Sequence, residues 1–324
     1  MDARLRAGSG CLAVAGGGTM GADIAASFAA VGWDIVIANP RDRMRETLIQ
    51  RFSSALTRLG GTFEEDRLRV YDSVMDLPWP EVDLMIEAGP EDLEIKRALF
   101  GEMERLAKPE TPLCSNSSAL PISDIGAGLQ TQHRMLGAHY FMPAHLVPGV
   151  EIVCSERTDP TVADAVAAII ESTGKVAIRV RRDIPGFLCN RIQHALAREA
   201  IDLVARGIAT VEDIDRAVRF GFGFRYIAAG PLLQKDHSGI DIHAAAAATI
   251  YPDLCNDTTP SAYLTDLVAS GAIGMKASRG FYEWTVGSII DEKRRYEDAL
   301  GRAADWIAAE LVAVRAATSH PPMN

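Results

Sequence analysis

Short apolar runs alternate with helix-forming segments through the first half of the chain. Three runs, over 12–15, 34–38 and 82–88, have the length and the bounding turn residues of buried strands. Small and apolar residues at helical spacing predict helices over 22–31 and 93–107. Strands that alternate with helices in this way are typical of a parallel sheet wound on both faces.

The alternation ends near residue 183. Before that point, further strands are predicted within 112–118, 133–141 and 175–181, with one more helix within 160–174. After it the pattern is helical, with Thr210 as the N-cap of one helix and a long amphipathic helix over 292–317. We therefore predict an α/β fold in three parts: a flexible lead-in over 1–10, a doubly wound parallel-sheet domain over 11–183, and an all-α domain over 184–324.

Composition narrows the classes of partner and compartment. The 324 residues carry a net charge of −10, which argues against nucleic acid and anionic membranes as main partners. The five cysteines are scattered without a CxxC pair, so we expect free thiols and no metal site. No apolar run reaches the roughly 18–20 residues of a membrane span, and residues 1–10 lack the apolar core of a signal peptide. These features predict a cytoplasmic protein.

A glycine turn follows the first predicted strand and opens the first predicted helix. It reads G-x-G-x-x-G, with Gly16, Gly18 and Gly21 at the glycine positions. The first glycine allows the tight turn, the second allows a diphosphate to approach the backbone, and the third allows helix and strand to pack closely. Free N–H groups at the helix start, at Thr19 and Met20, would then bind the diphosphate. The turn therefore predicts a dinucleotide-binding site.

The residue that selects between NAD and NADP is expected at the end of the second strand, where a carboxylate would bond the ribose hydroxyls. This chain has Asn39 there, followed by Arg41 and Arg43. An asparagine can still bond a ribose hydroxyl. Without a carboxylate, a 2′-phosphate is no longer repelled, and the arginines could bind it. The pattern favours NAD and leaves NADP open.

Several blocks together resemble the 3-hydroxyacyl-CoA dehydrogenase family. In chain order they are GGGTMGADIA, EAGPEDLEIKRALF, SNSSALPISDI, HYFMPAHLVPGVEIV, DIPGFLCNR and GMKASRGFYEW, which span nearly the whole chain. The resemblance implies a Rossmann domain followed by a helical dimerisation domain, and hence a homodimer. It also implies an NAD-dependent oxidoreductase.

The same resemblance implies roles for seven side chains. His139 in HYFMP matches the family's catalytic histidine, and Glu151 in GVEIV matches its partner glutamate. By position in their blocks, the others are Ser118 and Asn190 at the catalytic site, and Glu91, Lys96 and Asn116 on the cofactor side.

The chemistry explains why a histidine and a glutamate are needed together. Oxidation of a secondary alcohol requires removal of the hydroxyl proton, and an imidazole has a pKa near working pH. A carboxylate that accepts a bond from one ring N–H orients the ring and stabilises the imidazolium. We therefore expect His139 to act as the base, Glu151 to orient it and Ser118 to bond the reacting oxygen, with the Pro-containing loop 143–149 setting the distance between the two strands.

The family's asparagine three residues after the catalytic histidine is replaced by Met142. Other blocks, such as PAHLVPGVE and GFGFRYIAAGPL, resemble the branch with lambda-crystallin (L-gulonate 3-dehydrogenase) and carnitine dehydrogenase, whose substrates are free hydroxy acids. The favoured substrate is therefore a small free carboxylate. A CoA thioester, a pyridine aldehyde carboxylate of the vitamin B6 type, and a non-catalytic dinucleotide-binding role remain open.

Overall fold

The computed structural model of the chain describes residues 9–40 and 45–317. The chain divides into two compact units, Met1–Asn190 and Arg191–Asn324. Most of the predicted lead-in, residues 1–8, lies outside the described residues, as do Arg41 and Arg43.

The first unit is built on one eight-stranded sheet in the order β3-β2-β1-β4-β5-β6-β7-β8. Its strands are β1 Cys11–Ala15, β2 Asp34–Ala38, β3 Leu68–Tyr71, β4 Leu84–Glu87, β5 Leu113–Ser115, β6 Met135–Tyr140, β7 Gly149–Val153 and β8 Val176–Val180. Its helices are α1 Thr19–Ala29, α2 Arg45–Arg58, α3 Leu93–Leu106, α4 Ile122–Ile125 and α5 Pro160–Ser172. The predicted doubly wound α/β fold is confirmed.

The sheet is buried on both faces, as a parallel sheet requires. Along β1, Leu12 and Val14 pack into one apolar layer, which includes Phe28 and Trp33. Ala13, one residue out of phase, packs into the layer on the opposite face. The alternation along one strand therefore supplies two cores, and it explains why β1 is apolar at every position.

One strand pair departs from the predicted parallel sheet. Strands β6 and β7 are antiparallel, whereas every other neighbouring pair is parallel. The connection between them is the short loop 141–148, which has no helix. A parallel pair needs a crossover of a dozen or more residues, so a loop this short imposes the antiparallel direction.

The second unit is all helical, as predicted. Its helices are α6 Cys189–Ala205 (which begins in the first unit), α7 Val211–Arg216, α8 Pro231–Ser238, α9 Ile240–Ile250, α10 Ala262–Ala269 and α11 Val286–Ala317. Thr210 is the N-cap of α7, because its hydroxyl accepts a bond from the backbone N–H of Asp213. Between 191 and 310, Ala272 alone is fully buried, while large apolar side chains such as Phe220 and Leu232 are exposed.

Two negative findings apply to residues 9–40 and 45–317. None of the helices there is both long enough and apolar enough to cross a membrane. Nor do three or more His, Cys, Asp or Glu side chains there converge in a way that could hold a metal ion.

The packing of α1 against β1 gives a first prediction. A Cβ on Gly21 would lie 1.9 Å from the Gly16 carbonyl oxygen, whereas a Cβ on Gly18 would meet nothing within 4 Å. We expect Gly21→Ala to lower the free energy of unfolding by about 1–3 kcal/mol, the cost of overpacking. Gly18→Ala should cost less than about 1 kcal/mol, as the loss of a glycine N-cap. Urea denaturation measures both, and equal losses would contradict the packing argument.

Candidate active site

The glycine turn places an open helix N-terminus at the carboxyl end of β1. Gly16 has a φ of +112°, and a Cβ there would lie 2.7 Å from the Ala88 carbonyl oxygen. Gly18 is the N-cap of α1 and makes no side-chain capping bond, and the space beside it is open. The first N–H groups of α1, from Thr19 onward, are therefore left for an external acceptor. This arrangement fits a diphosphate.

Asn39 lies beside the same turn, directly after β2. It is buried, and its side-chain Nδ2 has no hydrogen-bond partner within the described residues. A Cβ on Gly17 would lie 2.9 Å from Asn39 Cγ, so the amide stands against the turn. A buried N–H donor without a partner requires an acceptor. A ribose hydroxyl of a bound dinucleotide fits that requirement.

His139 and Glu151 are directly opposite each other across β6 and β7. His139 Nδ1 lies 2.7 Å from Glu151 Oε2, and the two residues are 4% and 0% exposed. Since a carboxylate only accepts, the Nδ1–H donates, and in the neutral ring Nε2 carries the lone pair. The hydrogen bond across this strand pair thus leaves Nε2 as the basic nitrogen of His139.

Further bonds hold Glu151 ionised inside the sheet. Its Oε1 accepts from the backbone N–H groups of Leu188, at 3.0 Å, and Cys189, at 2.7 Å. Burial raises the pKa of Glu151, but the bonds from His139 and Cys189 outweigh it, so the net pKa lies below the ordinary value. The carboxylate therefore keeps its charge beside the imidazole.

A cavity of about 430 Å³ opens in front of His139. Six residues that the sequence assigned to the site line this cavity: Met20, Glu91, Asn116, Ser118, His139 and Asn190. Phe141 and Met142 also line it, and the Phe141 ring lies 4.6 Å from the His139 ring. The departure at Met142 therefore falls on the wall of the cavity. Glu151 is not among the lining residues.

Two hydrogen bonds each join a pair of residues that line this cavity. Asn190 donates from Nδ2 to the Ser118 carbonyl oxygen at 2.9 Å. Asn116 accepts at Oδ1 from the backbone N–H of Tyr140 at 2.8 Å, directly after His139. These bonds use one polar atom of each amide and hold the 116–118 segment beside β6.

Glu91 organises the segment that carries Ser118. It accepts from the Ser117 hydroxyl at 2.6 Å and from the backbone N–H groups of Ser118 and Ala119, both at 3.0 Å. Burial raises the pKa of Glu91. The Ser117 bond, the Lys96 charge and the backbone bonds lower it by more, so the net pKa lies below the ordinary value. Glu91 is thus an anchor as well as a wall of the cavity.

Lys96 is placed differently from the other residues assigned to the cofactor side. It is 1% exposed, and its Nζ lies 2.8 Å from both carboxylate oxygens of Glu87 and 3.5 Å from Glu91 Oε2. Glu87, at the end of β4, also accepts from the Ser115 hydroxyl at 2.7 Å. Glu87 was not predicted as a site residue from the sequence. The signal for it was a glutamate at the carboxyl end of an apolar strand, next to the glycine turn.

The model of the 3-hydroxyacyl-CoA dehydrogenase NAD-binding domain matches residues 11–184, and that of the 3-hydroxyacyl-CoA dehydrogenase C-terminal domain matches residues 186–284. The chain is therefore an NAD-dependent dehydrogenase that acts on a hydroxyl group. It belongs to the 3-hydroxyacyl-CoA dehydrogenase family.

Two curated relatives illustrate the range of the family. The chain is 31% identical over 285 residues to 5-formyl-3-hydroxy-2-methylpyridine 4-carboxylate 5-dehydrogenase of Mesorhizobium japonicum, covering 85% of this chain and 90% of the relative. It is 30% identical over 288 residues to L-carnitine dehydrogenase of Streptomyces coelicolor, covering 80% and 90%.

Two solved structures with equal sequence identity to this chain differ in how well their backbones superpose on it. A 5-formyl-3-hydroxy-2-methylpyridine 4-carboxylic acid 5-dehydrogenase, described as an NAD+-dependent dismutase, superposes with a TM-score of 0.86 at 28% identity, covering 92% of this chain and 98% of that one. The (S)-3-hydroxybutyryl-CoA dehydrogenase of Ralstonia eutropha gives a TM-score of 0.68 at 28% identity, covering 85% and 99%. At equal identity, the backbone of this chain is more similar to the first.

The lowered pKa of Glu151 predicts a pH dependence of stability. The ionised carboxylate stabilises the fold above its ordinary pKa of 4.5, and this contribution is lost as pH falls through the lower folded-state value. We expect Glu151→Gln to lose about 1–3 kcal/mol of unfolding free energy at about pH 7 and less than that at about pH 4. Urea denaturation at both pH values measures this. Glu156→Gln, at an exposed turn residue, is the control; an equal loss at both pH values would contradict the assignment.

Proposed function

We propose that the chain oxidises a small free carboxylate that bears a hydroxyl group or a hydrated aldehyde, with His139 as the general base. The observation that carries the proposal is the buried His139–Glu151 pair, which faces a cavity next to the dinucleotide turn. A protein that only bound a dinucleotide would have no need for an oriented base. The open start of α1 and the unpartnered amide of Asn39 would hold the cofactor.

The proton transfer follows from the hydrogen bonds. His139 Nε2 accepts the substrate hydroxyl proton while Nδ1–H remains bonded to Glu151, so the imidazolium forms against a fixed negative charge. Bound NAD would supply the acceptor for the hydride that leaves the carbon bearing that hydroxyl group. Ser118, which lines the cavity, would bond the reacting oxygen. The substrate loses one proton and one hydride and becomes a carbonyl compound, and a hydrated aldehyde becomes a carboxylic acid in the same way.

The side chains of the cavity wall favour a substrate with a flat aromatic ring. Phe141 and Met142 stand beside His139, and thioether sulfur and aromatic edges pack well on aromatic faces. The higher TM-score of 0.86, obtained with a pyridine carboxylate dehydrogenase, supports the same choice. We therefore place a pyridine aldehyde carboxylate first among candidate substrates. An aliphatic 3-hydroxy acid comes second, supported by the carnitine dehydrogenase relative.

We also propose that the chain works as a homodimer through its second unit. Across the described side chains from 191 to 310, one residue is fully buried, and large apolar side chains on several helices are exposed. A helical unit without its own core needs another surface to cover its apolar faces. A second copy of the same unit is the partner that the family resemblance implies. The mass of the protein in solution tests this.

The cytoplasm is the compartment that we propose. All five cysteines are free, and two of them, Cys11 and Cys114, are buried. Free thiols persist in a reducing compartment. Recovery of the protein from a fractionated cell distinguishes this location from the others.

Loss of the base should abolish turnover without loss of the cofactor. We expect His139→Ala to lower kcat by about 10²–10⁴-fold, the usual contribution of a general base. The Kd for NAD should change less than about threefold, because the dinucleotide turn is untouched. The control is His133→Ala, at an exposed residue before β6. Retained turnover in His139→Ala would exclude the assignment.

A substrate panel tests the substrate class. NAD and NADP reduction is followed with a pyridine aldehyde carboxylate, L-carnitine, L-gulonate, 3-hydroxybutyrate and 3-hydroxybutyryl-CoA. We expect turnover of a free carboxylate with NAD. Met142→Asn should lower kcat/KM for a ring substrate by about tenfold, because a polar amide replaces the apolar contact. Turnover of the CoA ester alone would overturn the proposed substrate class.

A further inference from the structure

The loop 141–148 lines the cavity at its start and leads into β7 at its end. Its first residues, Phe141 and Met142, form part of the cavity wall beside His139. Its end leads into β7, which carries Glu151. The conformation of this loop therefore affects the contact that a substrate makes beside the base.

A buried ammonium group holds the loop from inside. Lys175, directly before β8, is 5% exposed, and its Nζ donates to the carbonyl oxygens of Ala144, His145 and Val147 at 2.7, 3.0 and 3.0 Å. An ammonium has three N–H donors, and here all three are used on one loop. The loop thus surrounds the charge much as carbonyl groups surround a monovalent cation.

A second contact ties the same loop to the dinucleotide helix. The ring of His145 places Nδ1 3.0 Å from Asp23 Oδ2, on α1. Asp23 is fully buried, and Arg51 of α2 binds both of its oxygens, at 2.8 and 2.9 Å. Arg51 also donates to the carbonyl oxygen of Thr19, the first residue of α1, at 3.2 Å. The loop and the start of α1 therefore share one charged cluster.

Both Asp23 and Lys175 are charged at neutral pH. Burial lowers the pKa of Lys175 to about 8, and the nearby Asp23 opposes that change. Burial raises the pKa of Asp23, but the close contact with His145 and the bonds from Arg51 outweigh it, so the net pKa is lowered. Asp23 is thus ionised and Lys175 still mostly protonated, which is the form that can donate three bonds.

We propose that Lys175 is a positioning residue for the reaction: its ammonium sets the conformation of the loop 141–148 and so places Phe141 and Met142 against His139. This inference rests on the proposed function of that site. Asp23 and His145 link the same loop to α1. Removal of the ammonium should therefore impair substrate turnover much more than NAD binding.

Truncation of Lys175 leaves a shell of carbonyl oxygens that a small amine can enter. We expect Lys175→Ala to lower kcat/KM by about 10²-fold, the effect of misplacing groups by about 1 Å, with the Kd for NAD changed less than about threefold. Ethylammonium should restore at least about tenfold of the lost kcat/KM, because it supplies the three N–H donors. Tetramethylammonium, with the same charge and no donor, should restore nothing. Lys108→Ala, which removes another partly buried ammonium, bonded to Asp83, is the control and should not respond to ethylammonium.

A second readout does not depend on activity. Amide hydrogen exchange of Leu146 and Val147, whose N–H groups donate to the Pro143 carbonyl oxygen, reports the order of the loop. Exchange should be faster in Lys175→Ala and slow again with ethylammonium. Lys175→Met fills the space without a charge, so its loop should exchange fast with no response to the amine. If the wild type turns over no panel substrate while exchange behaves in this way, the proposed function fails and the loop anchor stands.

Three results would overturn the inference. Wild-type kcat/KM in Lys175→Ala would show that the loop needs no ammonium. Equal losses of NAD binding and turnover, or failure of both variants to fold, would show a general structural role. Equal rescue by tetramethylammonium would show an effect of ionic strength.

Discussion

The hydrogen bond between His139 Nδ1 and Glu151 Oε2 is the constraint on which the site depends. It forms because β6 and β7 run in opposite directions with these two residues directly opposed. A glutamate at this depth is tolerated because its other oxygen accepts two backbone N–H bonds, from Leu188, directly before α6, and from Cys189, its first residue. The direction of one strand, the beginning of one helix and the tautomer of one imidazole are therefore parts of a single arrangement.

Three other carboxylates fix neighbouring segments in a similar way. Glu87 joins the end of β4 to α3 through Lys96, and Glu91 holds the segment 117–119 through three bonds. Asp23 joins α1 to α2 through Arg51. Charge-assisted bonds are short and directional, so they fix segments that lie next to water and cannot be fixed by apolar packing alone. The walls of the cavity are thus pre-set by charges that do not react.

Periodicity predicted most strands and helices of the first unit, including β1, β2, β4 and α1, whereas α2 and β3 were not predicted. Helix α2 buries four side chains, at Leu48, Phe52, Ala55 and Leu56, among many charged positions. Strand β3 has one buried position, Leu68, and its other three residues are half-buried, so it lacks the apolar run of the central strands. The seven side chains with catalytic or cofactor roles were identified by the family resemblance, whereas the glycine turn and Asn39 followed from their positions after predicted strands. The pairing of Lys96 with Glu87 was not predicted, because it depends on how a turn folds back, and hydrophobic spacing does not encode that.

The ionised Glu151 also affects a neighbour that takes no part in the proposed reaction. The thiol of Cys189 adjoins this carboxylate, and burial together with that negative charge raises the pKa of Cys189 to about 12. The thiolate is the form that alkylating agents and peroxides attack, and it is nearly absent at such a pKa. The carboxylate that orients the imidazole therefore also shields an adjacent sulfur from electrophiles. Covalent inhibition through Cys189 is consequently disfavoured in this protein.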